Sequence, residues 1–288
     1  MADGVSTAAQ QGSALEAQFL AQIDWQRPWL RSVLPAAQSF LAAAPSSASA
    51  VRARLSELAA QRALCNCAGL PLQFVEQACL PSGCAYESFI FEQGQVPTRD
   101  NLHDFFNALV WLSFPQIKKE LNRLQAAHIR LHGVGQQRGA LRDAATLFDE
   151  NAALLLVADD VAGQALAYAL QQHQWQEFFP RFTASAQLYL FGHALMEKLV
   201  QPYKAITAHS WLVPAPPSVL QQAPAQQMAW LDSHIAAQLQ QAAPVPANFQ
   251  PLPIAGIPGW WAGQDQAFYD DVSVFRPARK NRVSVMPG

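Results

Sequence analysis

Charge is what this 288-residue chain has least of. Asp, Glu, Lys and Arg together make up 14% of it, against about a quarter in ordinary soluble domains. They sum to a formal net charge of −2, so bulk electrostatics indicates neither nucleic acid nor an anionic membrane as a partner. Long hydrophobic runs are missing too. A spanning helix needs about 20 consecutive apolar residues, and FFNALVWLSF is interrupted by Asn107 and stopped by Pro115. Membrane insertion is therefore not expected. The opening MADGVSTAAQQGSALEAQ has no basic segment followed by an apolar one, which points to a cytoplasmic protein.

Familiar catalytic signatures are absent as well. Neither G-x-x-x-x-G-K-[ST] nor G-x-G-x-x-G occurs, which removes the common phosphate-cradling loops. The G-x-S-x-G nucleophile elbow and the H-E-x-x-H zinc motif are also missing. Cysteine is limited to Cys65, Cys67, Cys79 and Cys84. Their C-x-C and C-x4-C spacing fits a zinc site poorly, so plain thiols are the favoured reading.

What the chain does have is apolar material, 51% hydrophobic residues, enough for a substantial core. Helical spacing begins at Phe19, Leu20 and Ile23 and resumes at Val51, Leu55 and Leu58 behind the potential caps Ser46, Ser47 and Ser49. LQFVEQ and YESFIFEQG are short, aromatic and β-branched, and predict two strands or a hairpin closed by Gly94 and Pro97. A helix follows from Asn101, and Pro115 opens a second one, giving an αα-hairpin. Its second helix turns Ile117, Leu121 and Leu124 inward and Lys118, Lys119 and Arg123 outward.

Beyond a flexible GVGQQRG, three apolar runs predict strands: Leu154–Val157, Leu188–Phe191 and ITAHSWLV. Helices lie between them, one of them capped by Asp159, in a β-α-β-α-β order. From Pro214 the chain turns Pro-, Gln- and Ala-rich, with an amphipathic helix near Met228–Leu239 and an extended wrap after Pro244. The expected fold class is α+β: a helix-rich domain with a short hairpin, a small β-α-β-α-β portion and a Pro-rich C-terminal wrap. Residues 1–70 form its helical region, 71–213 the mixed core with the polar clusters, and 214–288 the linker, helix and wrap.

Two polar clusters interrupt apolar helices, where an unpaired polar side chain costs about 1–3 kcal/mol. In LHDFFNALVW, His103 and Asn107 share a helix face and Asp104 is adjacent. Histidine suits acid–base work near neutral pH, with an amide or carboxylate to orient it. In GHALMEKL, His193 and Glu197 are four apart and could share a divalent metal, with His209 or Asp149 as further donors. Each cluster also has a structural reading, as internally hydrogen-bonded polar groups or as a pair bridging one helical turn. FDEN, which contains Asp149 and Glu150, is good turn chemistry. In FYDD, Phe268–Asp271, the two acids are expected to pair with Arg276, itself the start of a basic RPARKNR tail.

Several long blocks carry a resemblance: VPTRDNLHDFFNALVWLSFPQIKKELN, LFDEN, LFGHALMEKL, IAGIPGWW and FYDDVSVFRPAR. In this order they resemble a proteobacterial family catalogued only as a domain of unknown function, over most of the chain from the hairpin to the tail. The resemblance implies a bacterial cytosolic protein and no particular activity; the cysteines lie outside its pattern. Two functional expectations follow from the residues. One is a metal-dependent or acid–base hydrolase using His103, Asp104 and Asn107 with His193 and Glu197, its divalent metal completed by His209 or Asp149. The other is a noncatalytic binding or assembly protein with structural polar clusters and a Trp-rich surface that includes Trp260 and Trp261. Convergence of the two clusters in one solvent-reachable pocket separates them.

Overall fold

A computed structural model describes residues 18–45, 47–133 and 139–278 of the chain. Ser46, the middle of GVGQQRG and the tail beyond Ala278 lie outside the described residues. Short 3-10 turns open the described chain, and then α1 (Leu34–Leu41) and α2 (Ala48–Gln61) follow. Ser47 caps α2 by accepting from the Ala50 amide, as Ser and Thr at helix starts commonly do. Strand β1 (Gln73–Glu76) comes next.

The expected hairpin is not there. YESFIFEQG is a helix, α3 (Tyr86–Gln93), and β1 instead pairs in parallel with β2 (Gln95–Thr98), so α3 is the crossover. Gly94 ends α3 in the left-handed conformation, φ 69°, the usual glycine stop. Tertiary packing decides this segment: Phe89 and Ile90 are buried, which outweighs their strand preference.

The αα-hairpin forms as α4 (Leu102–Ser113) and α5 (Pro115–His132), with Asn101 accepting the Asp104 amide at the start of α4. The first turn of α5 is capped from a distance: Asp232 Oδ2 and Oδ1 accept the Gln116 and Ile117 amides at 3.0 and 2.9 Å. Lys118 is not on an outward face. It is buried, because the hairpin is covered on a second side.

FDEN is not a turn but the last residues of α6 (Gly139–Asn151). Strand β3 (Ala152–Ala158) continues directly from it and is buried at every position. Then come α7 (Val161–Gln171), capped by Asp160 and not Asp159, and α8 (Trp175–Ser185). Strand β4 (Ala186–Leu190), the short α9 (His193–Lys198) and β5 (Thr207–Ala215) complete the expected β-α-β-α-β portion. The four-stranded sheet runs β4-β3-β5 and ends on β6 (Phe249–Pro253). Strands β3 and β5 are parallel, while β4 and β6 flank them antiparallel. The segment after Pro244 is thus more than a wrap: β6 is an edge strand of the main sheet. Helices α10 (Pro217–Leu220) and α11 (Pro224–Gln241) lie between β5 and β6, and α12 (Gln266–Tyr269) lies near the end.

One buried apolar cluster extends from Ile23 to Phe275, and many helices with two small sheets make the mixed α+β class. Among the described residues no helix is long and apolar enough to cross a membrane. The FYDD acids do not pair with Arg276; Asp271 binds Lys204 at 2.7 Å and Asp270 accepts from Gln176.

Candidate active site

Four helix ends converge beside the sheet. The first turn of α4 supplies His103, the first residue of α9 supplies His193, the last turn of α6 supplies Asp149 and the first turn of α5 supplies Lys118. Glycine sets the approach of α9. At Gly192 an added Cβ would lie 2.5 to 2.6 Å from backbone atoms of Glu150, Asn151 and Ala152. The amides of Phe191 and Gly192 both donate to the Ala152 carbonyl, at 3.0 and 2.8 Å. The missing side chain lets α9 start against the α6–β3 junction, which puts His193 beside Asp149.

His103 lies between partners at both ring nitrogens. Nδ1 is 2.9 Å from Glu197 Oε2, and Nε2 is 3.0 Å from His193 Nε2. With Glu197 ionised, His103 donates from Nδ1 and presents a lone pair at Nε2, so His193 donates from its own Nε2. His193 Nδ1 is then an acceptor. It is buried without a hydrogen-bond partner among the described residues, and Asp149 Oδ2 stands 3.8 Å away. Burial pushes the His193 imidazole down to about 4; Asp149 opposes this, while Lys118 and His103 add to it. His193 is therefore neutral at neutral pH, as the tautomer argument requires.

Asp149 is held in turn. Lys118 Nζ donates to its Oδ1 at 2.6 Å and to Asn107 Oδ1 at 2.8 Å. Burial alone would raise the Asp149 pKa, but the Lys118 charge beside it outweighs this and holds the carboxyl below its ordinary range. Asn107 donates onward to the Tyr86 hydroxyl at 3.0 Å, and burial holds that phenol well above its usual pKa. Asp104 faces the same cavity but is taken up by Arg99, whose backbone amide, Nε and Nη2 donate to it at 2.7, 3.0 and 2.9 Å. Its role on this geometry is to fix the chain entering α4.

All of these groups except Lys118 and Glu197 line a cavity of about 340 Å³ whose wall also includes Glu87, Gln125, Thr146 and Glu150. Exposure is graded along the chain of contacts: the side chains of His193, His103 and Glu197 are 5%, 32% and 39% exposed. A proton accepted at His193 Nδ1 thus has a hydrogen-bonded route through His103 to a carboxylate in water.

The structure brings His103, Asp104, Asn107, His193 and Asp149 together around this one space, with Glu197 joined to it through His103. It leaves out His209, which sits on β5 with Nδ1 2.6 Å from Asn151 Nδ2. Glu197 spends its contact on His103 and Asp149 spends one on Lys118. Among the described residues no group of three or more His, Cys, Asp or Glu is arranged to hold a metal ion. All four cysteines are free, and Cys67 donates weakly toward Lys119 O and Glu120 Oε1.

Lys118, Tyr86 and Glu87 are site residues that the sequence reading missed. A lysine on an amphipathic helix looks solvated, and only the buried acid facing it reveals its place. Tyr86 and Glu87 were hidden by the strand assignment, although Tyr86, Phe89 and Ile90 fall at helical i, i+3, i+4 spacing.

No curated protein and no solved structure matches the chain. A family model described as "Protein of unknown function (DUF3025)" matches residues 72–279, from β1 through the whole cavity wall and the main sheet to the aromatic C-terminal corner, and the chain belongs to that family.

Proposed function

We propose that this protein is a hydrolase working by metal-free acid–base catalysis in the α4–α9 cavity. The observation that carries this reading is the His103 ring bonded at both nitrogens, to Glu197 on the solvent side and His193 on the cavity side. In this reaction His193 Nδ1 takes a proton from the attacking water and returns it to the leaving group. His103 and Glu197 keep the tautomers in register and connect the pair to solvent. Lys118 holds Asp149 ionised beside His193, and Asn107 holds Lys118; both are positioning residues.

The binding-only alternative accounts for the internal pairing of Asp104 with Arg99. It gives no task to the doubly bonded His103 ring in the cavity wall. The metal-assisted version needs a third convergent donor beside the two imidazoles.

The test is hydrolysis of chromogenic ester, anilide and phosphate substrates by protein purified without an affinity metal, with and without EDTA, beside elemental analysis. EDTA-resistant turnover, lowered about 10²–10⁴-fold by His193→Gln and less by Glu197→Gln with both variants folded, is the expected result. Turnover abolished by EDTA and restored by a divalent ion would replace this mechanism with the metal-dependent one. A folded protein inert toward all three would favour the binding alternative.

A further inference from the structure

The wall of the α4–α9 cavity is polar nearly throughout. Leu80 is its one aliphatic side chain among the described residues, whereas ligand sites are usually lined mostly by apolar groups with a few polar ones. Several of its polar atoms have no protein partner. Gln125 on α5 is only 6% exposed, yet neither end of its side-chain amide makes a hydrogen bond among the described residues, and neither atom is sealed from solvent. The Thr146 hydroxyl on α6 is open in the same way. Asn122 Nδ2 donates to Glu87 Oε2 at 2.7 Å, which leaves Oε1 open. Tyr86 offers a hydrogen. Lys118 can only donate, so Asn107 Oδ1 is its acceptor, Asn107 Nδ2 donates to the Tyr86 oxygen, and the phenolic hydrogen is left for another acceptor.

Charge narrows the occupant. Arg99 balances Asp104 and Lys118 balances Asp149. Burial works against a charge on Glu87 and raises its pKa, while Glu150 is exposed, where water screens it. With no enclosed charge left over, neither an anion nor a cation is selected. The ligand must also be polar over most of its surface, since little of the wall is apolar, and its groups must both donate and accept. Neighbouring hydroxyls meet these demands, because each is a donor and an acceptor. A simple amide does not, since the rest of its surface is apolar. We infer that the cavity binds a neutral, hydroxyl-rich molecule of the saccharide class, with Gln125 and Thr146 holding neighbouring hydroxyls of it. Gln125 follows Lys118 by two turns of α5, about 10 Å along the axis, which sets these contacts apart from the Lys118–Asp149 pair. A cavity of about 340 Å³ is near the lower limit of ligand sites, about 300–1,000 Å³, so it suits one sugar unit and not a long chain. This deepens the hydrolase reading by naming what the substrate carries, and rests on that reading only for calling the ligand a substrate.

The experiment uses D-glucose, D-galactose and D-ribose as probes, with acetamide, methylammonium chloride and sodium phosphate as controls. Affinity is measured by calorimetry on the full chain, and the site is located by the side-chain amide ¹⁵N resonances, with the Gln125 signal assigned through Gln125→Leu. Saturable binding of at least one sugar that shifts the Gln125 signal, with no shift from the controls, is expected. Gln125→Leu should weaken that binding about tenfold, the loss of two neutral hydrogen bonds. Thr146→Val, which keeps the shape of the side chain, should weaken it about threefold and carries the test should Gln125→Leu not fold. No saturable binding of any of the three sugars by folded wild type, binding of a control in their place, or sugar binding that both folded variants leave unchanged overturns the inference. If no sugar binds but the protein hydrolyses a chromogenic ester or phosphate with dependence on His193, the hydrolase reading stands without this ligand class. Saturable sugar binding without any turnover would keep the site and remove the hydrolase.

Discussion

Lys118 reaches Asp149 at 2.6 Å and Lys204 reaches Asp271 at 2.7 Å, two ion pairs of nearly equal length in very different surroundings. The first pair has side chains 5% and 13% exposed, and the second 29% and 34%. Lys118 also holds Asn107, lies 5.1 Å from the centre of the Trp111 ring and helps hold Asp149 ionised next to His193. Lys204 lies over the Phe268 ring at 4.4 Å, and its hydrogen bond, followed by that of Ser273, lowers Asp271 to about 2. A short distance therefore says little by itself. What matters is how many other groups depend on the pair and whether water can replace it.

The largest way to break the comparison is to remove one lysine from each pair. Lys118→Met leaves a carboxylate buried beside a neutral imidazole and should lower unfolding free energy by about 3–5 kcal/mol, read by urea denaturation. Adding Asp149→Leu should recover most of that loss, since two apolar side chains no longer strand a charge. A loss for Lys118→Met no larger than for Lys204→Met would show that burial is not what separates the pairs.

Gly192→Ala tests whether the buried pair depends on the approach of α9. Its Cβ meets backbone, which cannot step aside as a side chain end would. We expect a loss of about 1–3 kcal/mol together with a changed His193 resonance. An unchanged spectrum would mean that α9 has room to spare.

Two buried titrating groups give opposite pH slopes and sharpen the contrast with half-buried Asp271. His193 has a folded pKa of about 4, below its ordinary 6.5, so the unfolded chain binds more protons between these values and stability rises with pH there. Burial raises Asp232 from 3.8 to about 6 against the pull of the Ile117 and Gln116 amides. There the folded chain binds more protons, and stability falls as pH rises from about 4 to about 6. The two slopes offset each other in the wild type. Asp232→Asn should therefore unmask a stability that climbs from pH 4 to 6.5, and His193→Gln one that declines from 4 to 6; thermal midpoints across this range would read both. Identical profiles in all three proteins would argue that neither group is as desolvated as the packing indicates.

Lys204→Met should have the smallest effect, with a thermal midpoint near that of wild type at neutral pH. Its one expected signature lies in acid. Asp271, depressed in the folded state, contributes stability above 3.8 that is lost as pH falls toward 2, and the variant should show less of that loss, Ser273 keeping a part of it.

Much of this site was legible in sequence, and the rest was hidden for identifiable reasons. His103 and Asn107 share a helix face as their spacing requires, and both reach the cavity. The i, i+4 pairing of His193 with Glu197 was legible as a shared face but not as a bond: Glu197 binds His103 of another helix. No local pattern could report that, since it depends on α9 crossing α4. The three strands of the β-α-β-α-β portion were readable because buried strands are continuous apolar runs. YESFIFEQG was misread because β-branched and aromatic content outweighed the helical spacing of Tyr86, Phe89 and Ile90. Lys118 escaped because the amphipathic rule assumes one buried face, whereas α5 is covered by α3 and α6 on one side and α11 on another.

Asp232 has a consequence for the order in which the molecule is made. It lies on α11, yet it caps the first turn of α5, the turn that carries Lys118. During synthesis α4, α5, α6 and α9 are all polymerised before that carboxylate exists. The helix start beneath the buried ion pair is capped by a residue made more than a hundred positions later, so that cap forms only once α11 has docked.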